Sequence, residues 1–91
     1  MVRFRILDVF SGKPLVLFEG HVEYIYVLYG DDQGRIYLLS LAPEEYEDKT
    51  PEQLYECVAK LLDLEDPDKD RDYWVARFKH ALKREVRECR P

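Results

Sequence analysis

At 91 residues the chain has room for one small α+β domain over residues 1–91, and a second domain does not fit. Hydrophobic residues make up 46% and charged residues 36%, with no apolar run near the roughly 20 residues that span a bilayer and no charged-then-apolar leader, so membrane and export classes are set aside and a soluble, cytoplasmic protein is expected. The net charge of −5 weighs against a dedicated nucleic-acid binder, because affinity for phosphate is mainly cationic.

In chain order, residues 2–10 place Val2, Phe4, Ile6 and Phe10 on one side with Arg3 and Arg5 on the other, the two-residue period of a half-buried strand. Ser11 to Pro14 predicts a turn. The stretch from Leu15 to Gly30 predicts a second long extended segment, bent or bulged at Gly20. Asp31 to Gly34 turns the chain again, and Arg35 to Ala42 returns as another strand. Residues 1–42 are therefore expected to form an antiparallel β-meander of three to four strands.

Pro43 stops the sheet. Thr50 is the expected N-cap of a helix over residues 50–64, with Pro51 at the first helical position and Gln53 closing a capping box. Its apolar side is read as Leu54, Cys57, Val58, Leu61, Leu62 and Leu64. A polar break around Pro67 precedes a second helix over residues 70–89, with Val75, Phe78, Leu82, Val86 and Cys89 as its stripe and Trp74 and Ala81 widening it. The two helices are expected to pack on the sheet as an αα-hairpin. In that arrangement Cys57 faces a position about 15 Å along the partner helix from Cys89, so two reduced, buried thiols are expected in place of a disulfide.

Tyr29-Gly30-Asp31-Asp32 resembles the metal-binding motif of viral RNA-directed RNA polymerases, down to its place at the tip of an apolar hairpin. That resemblance implies a metal held by Asp31 and Asp32. It covers four residues, and two-metal chemistry needs further carboxylates and a cleft that 91 residues do not build, so a small metal-dependent enzyme stands as an alternative behind a simple turn. Asp66, Asp68, Asp70 and Asp72 alternate like the start of an EF-hand loop, but Arg71 and Arg77, or Tyr73 and Lys79, fall where Gly and Glu are required. They read instead as charges opposing the positive pole of the second helix. Ser11, Ser40, His21 and His80 have no partners at catalytic or metal-ligand spacing, and no phosphate loop is present, so no cofactor or metal is expected.

Charge is unevenly spread. Residues 1–43 carry 4 basic and 5 acidic groups, residues 44–70 carry 3 and 11, and residues 71–91 carry 7 and 3, giving −1, −8 and +4. Around the second helix Tyr73, Arg77, His80, Arg84 and Arg87 line up opposite the apolar stripe, so Tyr73, Arg77, Arg84 and Arg87 are candidates for a partner, with nucleic acid as the alternative to an acidic protein. The acidic stretch Glu44 to Asp48 suits a basic partner, as in an inhibitor of a nucleic-acid enzyme. No Asn, one Thr, two Gln and one Met beside many charges of both signs give a thermophile-like composition.

The sharpest signal is in the strands. Val22, Tyr24, Tyr26 and Leu28 form one apolar side, and Ile25, Val27 and Tyr29 form the other; the next strand repeats this with Ile36 and Leu38 against Tyr37, Leu39 and Leu41. Two apolar faces mean that both are covered, by one helix each, by curling into a barrel, or by a second polypeptide. We expect the last, with Tyr24, Ile25, Val27, Tyr37 and Leu39 as the contact and self-association into a homodimer preferred. The expected function is a small non-enzymatic protein-protein interaction module, an inhibitor or adaptor of a larger macromolecule.

Overall fold

The computed structural model describes residues 3–12 and 23–88, with side chains described as far as Leu82. Three strands, β1 (Phe4–Gly12), β2 (Tyr24–Asp31) and β3 (Ile36–Leu41), form an antiparallel sheet in the order β1-β2-β3. Three helices follow, α1 (Pro43–Tyr46), α2 (Pro51–Leu62) and α3 (Arg71–Glu88), so the α+β class and the order of elements are as the sequence predicts, with three strands among the described residues. Residues 13–22, which hold Gly20 and the first part of the expected second strand, lie outside the described residues, as do Cys89 and the end of the expected second helix.

The hairpin between β2 and β3 is organised by one carboxylate. Asp31 Oδ1 accepts the N–H groups of Gln33 (2.8 Å) and Arg35 (2.9 Å), Oδ2 accepts the Tyr37 hydroxyl (3.1 Å), and the Asp31 N–H donates to the Arg35 carbonyl (3.0 Å). Gly34 supplies the positive φ, +84°, that closes the turn. On the other side of β2, pairing with β1 slips between Ile6 and Asp8, so that Leu7 is a bulge residue. Its side chain fills the space over Gly30, where an added Cβ would come within 3.2 Å of both Leu7 and the Arg35 carbonyl. Gly30 is thus held by packing, not by backbone conformation.

Thr50 caps α2 as expected. Its hydroxyl accepts the Gln53 N–H (3.1 Å) while the Gln53 side chain accepts the Thr50 N–H (3.0 Å), and Pro51 opens the helix. One short helix was not legible beforehand: Pro43–Tyr46 forms a single turn that carries Tyr46 into the core, where its hydroxyl donates to the Glu23 carbonyl (2.7 Å). At the far end of α2, Asp63 closes the helix in the left-handed region. The Tyr55 hydroxyl then ties the connection down by donating to the Pro67 carbonyl (2.6 Å). Burial raises the Tyr55 phenol above its ordinary value; Arg71 opposes this, and Asp68, Asp66 and Asp70 add to it.

The core is one cluster between the sheet and the helices. Ile6, Val9, Ile25, Val27 and Leu41 come from the strands, Tyr46 from α1, Leu54, Tyr55, Val58 and Leu62 from α2, and Phe78 and Ala81 from α3. α3 runs against β1, and α2 runs against α3. The buried side of α2 is turned toward Tyr55 relative to the expected stripe, leaving Cys57 exposed and Leu61 66% exposed. The expected buried thiol at residue 57 is therefore corrected: a periodic pattern fixes the helix, but its rotation is set by what it meets, here Tyr55 reaching Pro67.

Candidate interaction surface

All five strand residues of the core cluster point to the same side, and every described helix contribution joins them there. Ile25 and Val27 are both 0% exposed, and Tyr37 and Leu39 lie on the same covered side. Ile25 and Val27 are thereby corrected from an exposed contact to closed core, while Tyr37 and Leu39 lie half-buried on the helix side. Of those five candidates only Tyr24 lies on the other side. Both sides of β2 are apolar, so alternation identifies two faces without choosing between them; the helices took the odd-numbered one.

The even-numbered face carries its own apolar layer. Leu7 (38% exposed), Phe10 (37%), Ile36 (64%) and Leu38 (45%) stand on it, around the half-buried Leu28 and Tyr24. The Phe10 ring stacks on Tyr26 at 5.5 Å, and Tyr24 stacks on Tyr26 at 6.3 Å, giving the sheet an aromatic row at the end away from the turn. On the covered side, Phe4, Tyr29 and Tyr37 pack together at the turn end, with ring centroids 5.3 to 5.9 Å apart. No described residue of the open layer belongs to the core cluster.

The two sheet edges differ. On β1 the outward groups of Phe4 and Val9 are taken: the Glu65 N–H donates to the Phe4 carbonyl (3.2 Å), the Val9 N–H donates to Asp8 Oδ1 (2.8 Å), and the Arg77 guanidinium donates to both Asp8 Oδ1 (2.7 Å) and the Val9 carbonyl (2.9 Å). This is a clamp from α3 onto the edge of β1, beside a bulge. On β3 the ladder alternates. Because Asp31 and Arg35 form a bonded pair, Tyr37, Leu39 and Leu41 bond to β2, and Ile36, Leu38 and Ser40 direct their N–H and C=O groups outward. No described backbone group meets them.

The clamp also corrects the proposed basic face. Arg77 was assigned to a partner because it stands opposite the apolar stripe, yet its long side chain reaches back to β1 and is consumed there. Tyr73 is 58% exposed and meets the Trp74 ring edge-on at 4.8 Å, and His80 is exposed. The side chains of Arg84 and Arg87 lie outside those described. Glu56 and Arg71 form a surface ion pair (2.9 Å) between α2 and α3.

For the metal reading, Asp31 has both oxygens occupied by the turn, and Asp32 is exposed. Burial works to raise the Asp31 carboxyl, but the Arg35 and Gln33 amides, the Tyr37 hydroxyl and the Arg35 charge outweigh it and hold the group below its ordinary value. Among the described residues no three His, Cys, Asp or Glu side chains converge in a way that could hold a metal, and no helix is long and apolar enough to cross a membrane. Comparison with known protein families, with curated proteins and with solved structures finds no match.

Proposed function

We propose that this chain is a non-enzymatic protein-protein interaction module that associates with a second copy of itself, using the side of the sheet that the helices leave open. The observation that supports this is the asymmetry of cover: Ile25 and Val27 are fully closed under the helices, while Leu7, Phe10, Ile36 and Leu38 on the reverse side keep between 37% and 64% of their surface in water. Isolated exposed leucines are ordinary, but exposed apolar side chains on both β1 and β3, flanking half-buried Tyr24 and Leu28 and the closed Tyr26 of β2, are the mark of a contact surface. Its aromatic and aliphatic make-up, with few charges, matches the central part of protein interfaces.

The test is the mass in solution of the wild type and of Leu38→Lys, measured by sedimentation from low to high micromolar concentration. The wild type is expected to exceed one subunit as concentration rises, and Leu38→Lys to remain at one. A wild type of single-subunit mass throughout would remove self-association. A variant that associates like the wild type would move the contact away from the β3 side of the open face.

A further inference from the structure

We infer that the second copy is joined edge to edge, β3 against β3 in antiparallel register with Leu38 on the two-fold axis, making one six-stranded sheet. The inference rests on the self-association proposed above and names its geometry. Three observations carry it. First, β3 is unbroken in register and uncharged from Ile36 to Leu41, without the proline, lysine or bulge by which an edge strand is ordinarily kept from pairing, while β1 has a bulge and the Arg77 clamp. An edge guarded on one side and bare on the other is directional.

Second, the bare groups are self-complementary. With Leu38 opposite its own mate, Ile36 falls opposite Ser40, so each outward-facing residue meets another outward-facing residue and each of the three pairs exchanges two N–H to C=O bonds. A register shifted by two residues leaves groups at one end unmatched. Third, α3 runs along β1, where Ile6 and Val9 are buried, whereas Tyr37 and Leu39 of β3 stay half-buried on the same side, so the described helix layer lies mainly over β1 and leaves the β3 edge accessible. Pairing also sets the open faces of the two copies side by side, with Ile36 and Leu38 of each at the seam. A six-residue strand pair is small beside the roughly 800 Å² per partner of a standard interface, so the dimer is concentration-dependent rather than obligate.

The register makes the test specific. In a background with Cys57→Ser and Cys89→Ser, Leu38→Cys puts two thiols on residues about 5.5 Å apart at Cα, within disulfide reach, whereas Ile36→Cys separates them by four residues, about 13 Å. Under diamide, Leu38→Cys is expected to give a covalent dimer and Ile36→Cys to stay monomeric. Two further variants are read by sedimentation: Ser40→Pro removes an outward donor without touching the bonds to β2, and Leu38→Lys sets like charges opposite each other. Each is expected to raise the dimer dissociation constant about tenfold or more. If the wild type dimerises but Leu38→Cys links no faster than Ile36→Cys and Ser40→Pro dimerises normally, the edge geometry is wrong and self-association through the face stands. If the wild type is a monomer at every concentration, both fall.

Discussion

Val27→Ala and Leu38→Ser, on opposite faces of adjacent strands, separate the covered side of the sheet from the open one. Val27 has no surface in water, so truncation removes two carbons from a closed site. At about 0.8 kcal/mol per buried CH2, plus about 1 kcal/mol for a cavity of some 40 Å³ that neighbours fill incompletely, the loss is about 2 to 3 kcal/mol. Leu38 already keeps 45% of its surface exposed, so its replacement is expected to cost the monomer under about 1 kcal/mol. For a chain of this size, that is a fall in Tm of about 10 to 20 °C against only a few degrees. Urea unfolding followed by circular dichroism at low micromolar concentration, where the monomer dominates, reads both values. Equal losses, or a larger loss for Leu38→Ser, would refute the assignment of faces.

Arg77→Ala breaks the clamp on β1. The ion pair is over one-third exposed on both sides and contributes under about 1 kcal/mol, and the charged bond to the Val9 carbonyl adds to it, so a loss of about 1 to 2 kcal/mol in urea unfolding is expected, with new association beyond the dimer because a second edge is opened. Thr50→Ala removes the cap of α2 and is expected to cost about 1 kcal/mol, read from the same curves. Asp31 has a folded pKa below its unfolded value of about 4, so the carboxylate stabilises the fold above that pH, and the contribution is lost as pH falls through the folded pKa. Asp31→Asn should therefore flatten the decline in stability below about pH 4, and an acid profile identical to that of the wild type would count against the turn geometry.

Much of the fold was legible because local signals agreed with one another. Thr50, Pro51 and Gln53 specify a helix start by their own hydrogen bonds, and Asp31 with Gly34 specifies a turn, so neither needed tertiary information. Phe78 and Ala81 were placed in the core by the 3.6-residue period alone. The contact surface was half legible. That β2 has two apolar faces is a fact of composition, but which of them the helices choose depends on long-range packing that alternation does not encode, and Ile25 and Val27 were assigned to the wrong one.

The remaining misses share a cause. Helical angle placed Arg77 away from the stripe, but a guanidinium at the end of a long side chain answers to neighbours in space, here Asp8 and the Val9 carbonyl some 68 or 69 residues earlier. Cys57 and Leu61 look like core positions on a wheel and are exposed because Tyr55, whose hydroxyl finds Pro67, turns α2. The single turn Pro43–Tyr46 was hidden in an acidic stretch, although Pro43 at its first position and the Glu45 carboxylate accepting the Ala42 N–H (3.1 Å) are the ordinary start signals.

Amide exchange at the edge of β3 tests the completion of the sheet by a second copy most directly. In dilute solution the outward N–H groups of Ile36, Leu38 and Ser40 should exchange quickly while those of Tyr37 and Leu39 are protected by β2, and raising the concentration should slow the first three together. Exchange at those three amides that does not change with concentration would contradict the account.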